Sequence, residues 1–225
     1  MECPYSLINN FTISFNSERP IATNPLWKRF LFVYASLMNI LHIDSCALGD
    51  NSTSRQITAA AIAALTSAND QATVLYRDLA ASPLSHASGP LLQVISQRWD
   101  DDIPMHAELR AEALQSASLL QEFQSADVVV LGAPMHNFSI PSTLKAWMDR
   151  LLEVHTSAAN ERDARPHLLL VTSGCDVLGL DSREDLMNNH EGQLKAAFTF
   201  MGVQRLQVVR KLADLQQALE LKQAA

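Results

Sequence analysis

An open, doubly wound α/β domain, with about five parallel strands and helices on both faces, is the fold class that the sequence predicts. Three observations lead there. From Met38 onward, short apolar runs alternate with longer helical patterns. The runs are continuously apolar rather than alternating, as in strands covered on both sides. No internal repeat, heptad or low-complexity tract interrupts them, so residues 38–225 read as one domain.

Each element has its own signal. Asn39–Ile43 is an apolar strand, and Ser54–Ser67 follows as an Ala-rich helix with Ile57, Ala61 and Leu65 on one face. Ala72–Tyr76 is the second strand, and RDLAASPLSHASGPL, with its Pro and Ser clusters, reads as a loop. Met105–Gln124 has helical spacing through Leu109, Ala113 and Leu120, and Asp127–Leu131 is the third strand. Ser142–Val154 carries Leu144, Met148, Leu151 and Leu152 on one stripe, with Pro141 in a favourable first-turn position. His167–Thr172 is the fourth strand, Glu184–Met201 a helix, Gln204–Val209 the fifth strand and Leu212–Lys222 a last helix.

Residues 1–37 differ in composition, being rich in Asn, Ser, Pro and aromatics. They are expected to be an extension, disordered or not native, with Met38 standing where the domain begins. Leu31–Leu37 is too short to span a bilayer and lacks the basic flank of a signal peptide.

The net charge of −7 and a pI near 5.4 exclude a basic nucleic-acid-binding surface. The three cysteines, Cys3, Cys46 and Cys175, have no CxxC spacing, and the seven histidines have no HxxxH or HExxH pairing. Neither a disulfide framework nor a metal site is expected, and a reducing cytosol suits the chain. A small-molecule or protein partner is expected, with no membrane span.

In a doubly wound sheet the ligand sits beyond the carboxyl ends of the strands, where the strand order reverses. Three loops qualify. The first follows strand one, and its Ser52-Thr53-Ser54 stands at a helix N-terminus, where hydroxyls and backbone N–H groups suit a phosphate monoester or serve as a plain capping run. It is neither GxGxxG nor GxxxxGK[ST], which disfavours a dinucleotide or nucleoside-triphosphate site. The second is APMHNFSIP after strand three, and the third is TSGCD after strand four.

The segments HIDSCALGDNSTSR, LGAPMHNFSIPSTLKAWMDR and NHEGQLKAAFTFMGV resemble, in collinear order, those of flavodoxin-like FMN-dependent NADH-azoreductases. The resemblance implies phosphate contacts at Cys46, Ser52, Thr53 and Ser54. It implies ring-edge contacts at Met135, His136, Asn137 and Phe138, and a third border at Ser173, Gly174, Cys175 and Asp176. Met135 and Phe138 read otherwise as core cover, and Asn137 or Ser139 as caps of the next helix. The Asn137 amide suits the pyrimidine edge, and His136 suits a place beside the ring rather than acid–base duty. The implied activity is a cytoplasmic homodimer in which NADH reduces bound FMN, after which a quinone or azo compound takes two electrons. No catalytic acid–base pair is implied.

Three departures from the pattern stand out. Cys46 replaces a serine, and Ser173-Gly174-Cys175-Asp176 replaces a Ser-x-Gly-Gly turn, bringing a negative charge towards the ring. Residues 153–166 and the chain after Arg210 are shorter than the pattern. An FMN-binding electron carrier for protein partners, and a degenerate relative with weak flavin binding, remain open alternatives.

Overall fold

The computed structural model describes residues 38–98, 104–157, 166–174 and 184–220. The extension before Met38, together with Cys175 and Asp176, lies outside the described residues. The strands are β1 (Asn39–Asp44), β2 (Thr73–Asp78), β3 (Val128–Gly132), β4 (His167–Val171) and β5 (Leu206–Val209). The helices are α1 (Thr53–Ala68), α2 (Gly89–Ile95), α3 (Ala107–Ser125), α4 (Ser142–Ser157), α5 (Glu184–Phe200) and α6 (Leu212–Glu220).

All five strands are parallel, in the order β2-β1-β3-β4-β5. The three central strands are almost wholly buried, because helices cover both faces and every residue must be apolar or paired. On one face Leu41, Val129, Leu131, Leu168 and Leu170 pack against Phe123 of α3, Trp147 of α4 and Phe198 of α5. On the other, Ile40, Val128, Val130 and Leu169 meet Ile57, Ala61 and Leu65 of α1 and Leu215 and Leu219 of α6. Phe123 stacks on Phe198 with ring centroids 5.8 Å apart.

Two sequence expectations are corrected. The strand β2 runs on to Asp78, because Arg77 pairs with Glu122 of α3 and Asp78 with Arg55, so charged residues continue an edge strand. Residues 89–91, read as loop, open the short α2. Ser88 caps it by accepting from Leu91 N, and Pro90 fits its first turn. Leu91 and Ile95 pack against Leu109, which makes this short helix worth forming.

Candidate functional site

The strand order reverses between β1 and β3: the chain leaves β1 for β2 on one side and returns to β3 on the other. The loops after these strands therefore diverge around a crevice. Two contacts tie its floor together. The Ser45 hydroxyl donates to the Gly132 carbonyl at 2.6 Å, and Cys46 Sγ lies 3.6 Å from His136 Nε2. A Cβ on Gly132 would stand 3.0 Å from the Asp44 carboxylate, so a glycine is what lets β3 end against β1.

The loop after β1 turns at Gly49, with φ +55°, into a short 3-10 turn, Gly49–Asn51. Ser52 then caps α1, its hydroxyl accepting from Arg55 N at 3.3 Å and lying 2.9 Å from the Ser54 hydroxyl. Ser52, Ser54 and Cys46 are buried, and Thr53 is exposed. The arrangement offers the positive end of a 16-residue helix together with hydroxyl groups, a donor set suited to a phosphate.

Arg55 holds this loop in place. Its Nε and Nη2 donate to the Cys46 carbonyl at 3.1 and 2.8 Å, and its Nη1 and Nη2 grip both Asp78 oxygens at 2.7 and 2.8 Å. Beside it, buried Asp44 accepts from Thr58 at 2.8 Å and from Tyr76 at 3.1 Å. The hydrogen bond to Asp78 raises the Arg55 pKa against the opposing effect of burial. Burial would raise Asp78, but the Arg55 hydrogen bond and the Ala81 and Ala80 amides together hold it below the usual carboxylate range.

The loop after β3 starts as a continuation of the sheet. Ala133 N donates to Val171 O at 2.8 Å and Met135 N to Ser173 O at 2.9 Å. The Met135 side chain is 1% exposed and packs on Met187 and Leu186 of α5, so Met135 faces the protein interior. His136 and Ser139 then exchange backbone hydrogen bonds of 2.7 and 2.9 Å, closing a two-residue turn. Its central residues, Asn137 and Phe138, have φ +47° and +68°. Positive φ at both places is the type I′ pattern, which Asn tolerates and Phe does not. Phe138 carries a strain of about 1–2 kcal/mol and is nevertheless 63% exposed. The helix α4 starts at Ser142, so Pro141 and neither Asn137 nor Ser139 stands at its N-cap position. Pro141 sits one place before the first helical residue, its carbonyl accepting from Lys145 N at 3.0 Å.

Beyond β4, Thr172 and Ser173 are buried and Gly174 is half-buried. Two adjacent residues of α5 reach this edge. His190 Nε2 lies 3.0 Å from the Ala133 carbonyl and, since a carbonyl only accepts, Nε2 carries the proton. Glu191 accepts from the Thr172 hydroxyl at 2.8 Å and from Arg210 Nε and Nη2 at 2.7 and 3.1 Å. Among the described residues no group of three or more His, Cys, Asp or Glu could hold a metal ion.

The whole of residues 38–225 matches a protein family described as having a flavodoxin-like fold. The chain belongs to that family. An FMN-dependent NADH:quinone oxidoreductase from Methylocella silvestris is 38% identical over 197 residues, covering 83% of this chain and 95% of the relative. One from Pseudomonas putida is 38% identical over 181 residues, covering 77% and 85%. The crystal structure of a Bacillus anthracis FMN-dependent NADH-azoreductase in complex with FMN superimposes with a TM-score of 0.61 at 20% identity, covering 82% of this chain and 95% of that one, and shows the shared fold.

Within this flavodoxin-like domain the described residues named from sequence lie in or beside the loops after β1, β3 and β4; Cys46 approaches His136 and Met135 N bonds Ser173 O, while the Met135 side chain turns inward. Sequence reasoning missed Arg55, His190 and Glu191. Arg55 carried a usable signal, because a cation in the first turn of a helix opposes the dipole and so announces a partner elsewhere.

The α5 pair also sets an acid sensitivity. Burial holds the His190 pKa below its ordinary 6.5, outweighing the Ala133 hydrogen bond and the charge of Glu191. For Glu191, burial opposes ionisation, but the Arg210 and Thr172 hydrogen bonds win and hold it below 4.5. Both folded pKa values are depressed, so the unfolded chain binds protons first and stability falls with falling pH. The His190 contribution is complete above about pH 6.5 and is lost as pH falls through its folded pKa, with Glu191 following below about 4.5. Urea midpoints measured from pH 8 to pH 5 should decline in the wild type and decline less in His190→Gln. Parallel profiles would show that His190 contributes nothing.

Proposed function

We propose that the chain is an FMN-dependent NADH:quinone oxidoreductase that also reduces aromatic azo compounds, with residues 38–225 as the catalytic unit. The carrying observation is the crevice itself: the loop after β1 leads into a hydroxyl-capped helix N-terminus, the loop after β3 carries a strained turn with an exposed aromatic ring, and Cys46 and His136 bring the two loops within 3.6 Å. Strain kept at a loop over a sheet's carboxyl edge is a mark of a binding element. The relatives named as FMN-dependent NADH:quinone oxidoreductases carry the same reading.

The residues present fit the cofactor. Ser52, Thr53 and Ser54 would hold the phosphate at the α1 N-terminus, with Cys46 beside them as a weak donor. Phe138 would cover the flavin ring, the Asn137 amide would meet its pyrimidine edge, and His136 would stand beside it. Buried Met135 would floor the crevice, and Ser173, Gly174, Cys175 and Asp176 would border the ring. FMN, when bound, supplies the two-electron hydride chemistry between NADH and the acceptor. The protein binds, orients and excludes water, and needs no acid–base pair of its own. We place the enzyme in the cytoplasm as a homodimer; no helix among the described residues is long and apolar enough to cross a membrane.

Purified protein should carry a flavin spectrum that NADH bleaches and a simple quinone restores. A flavin that stays oxidised with NADH would overturn the enzyme reading in favour of an electron carrier. Asn137→Ala should weaken FMN retention about tenfold or more, by losing both the amide and a residue that accepts positive φ. Asn137→Gly keeps the backbone and loses only the amide, so fluorescence titration of the two variants separates the contributions. Wild-type retention in both would remove Asn137 from the site.

A further inference from the structure

The segment NHEGQLKAAFTFMGV begins within α5 and runs just past its end, in a different part of the chain from the first two loops, yet its His190 and Glu191 reach the edge on which two of the three loops are built. Neighbouring positions on a helix point about 100° apart, so one pair of residues can serve two adjacent strands. His190 takes the Ala133 carbonyl at the end of β3, and Glu191 takes the Thr172 hydroxyl at the end of β4. Arg210, just beyond β5, closes the set by donating to Glu191.

These bonds hold the Ala133 carbonyl and the Thr172 hydroxyl just past the ends of β3 and β4. Ala133 and Thr172 are fully buried, so neither can turn to water. Ala133 and Met135 are already joined through their N–H groups to Val171 and Ser173. With the Ala133 carbonyl also held, the strip leading into the His136–Ser139 turn has one orientation. The turn then leaves Phe138 exposed.

We propose that His190 and Glu191 are positioning residues for the flavin ring, His190 fixing the β3 loop through the Ala133 carbonyl and Glu191 the β4 loop through the Thr172 hydroxyl. Neither touches the cofactor. The inference rests on the FMN reading above and adds the device that aligns its ring contacts.

The test is titration of apoprotein with FMN, followed by fluorescence quenching and by the visible circular dichroism of the bound flavin. His190→Leu fills the space without a donor and should weaken FMN binding about tenfold, with an altered flavin dichroism. His190→Gln, whose amide N–H can reach the same carbonyl, should bind within about threefold of wild type and restore the spectrum. Thr172→Val keeps the shape, removes the hydroxyl, and should weaken binding at least about threefold, serving also as the deciding variant if His190→Leu does not fold. Wild-type affinity and dichroism in His190→Leu, or in Thr172→Val where that variant decides, overturn the proposal while leaving the FMN reading intact. A wild-type chain that takes up no FMN overturns both.

Discussion

Replacing Arg55 with methionine is expected to lower stability by about 3 kcal/mol and to weaken FMN uptake by about thirtyfold or more. The guanidinium is buried enough that its loss leaves Asp78 and Asp44, with side chains only 20% and 5% exposed, without their compensating charge. Removing one partner of a pair this buried costs far more than the pair contributes in sum. The Cys46 carbonyl also loses both of its side-chain donors, so the loop that presents Ser52–Ser54 is no longer anchored to the end of β2. Arg55→Lys should recover part of the stability and little of the loop geometry, because an ammonium cannot grip a carboxylate and a carbonyl with one planar fork. Urea denaturation of the apoprotein and FMN titration read the two effects separately. A loss below about 1 kcal/mol with unchanged affinity would show that the network is incidental.

Arg150→Met should cost a similar amount, about 3 kcal/mol, but leave FMN affinity within about threefold. Arg150 is completely buried and donates to the Ser85 carbonyl and hydroxyl at 3.0 and 2.7 Å, to Glu112 at 3.1 Å and to Ser116 at 3.3 Å. It thereby joins the segment before α2 to α3 and α4. Hydrogen bonds from Ser85 and Arg150, against the opposing effect of burial, hold Glu112 below the usual carboxylate range. None of these partners belongs to the loops after β1, β3 or β4. The Arg55 and Arg150 networks share no residue, so the double variant should lose close to the sum of the two single losses. A large loss of FMN affinity in Arg150→Met would show that the Ser85 segment reaches the site after all.

Much of this molecule is legible in its residues. The apolar runs at β1, β3 and β4 place strands within a residue or so of their observed ends, because a strand covered on both faces has no room for an alternating pattern. The apolar signal of edge strand β2 ends at Tyr76, and the strand continues only because the charges of Arg77 and Asp78 are satisfied by Glu122 and Arg55 from other parts of the chain. The helix α2 carries little local signal, because Gly89-Pro90 reads as a breaker and only the Ser88 cap marks its start. Met135 offered two readings from sequence, and its packing on Met187 shows a side chain turned inward.

Element order and parallel pairing followed from periodicity and chain connection, which are local or nearly local properties, and with the carboxyl-end rule they were enough to name three loops. Which two strands flank the reversal, β1 and β3, is set by the tertiary strand pairing. The polar framework behind them was decided only by the fold. Arg55 finds Asp78 at a separation of 23 residues, His190 finds Ala133 at 57, and Arg150 finds Ser85 at 65. Such pairs leave no period in a sequence, because burial at their positions is imposed by elements that are distant along the chain. The type I′ turn at Asn137 and Phe138 belongs with them: the motif supplied its residues, but the left-handed backbone that turns Phe138 outward exists only once Ala133–Met135 is laid against β4.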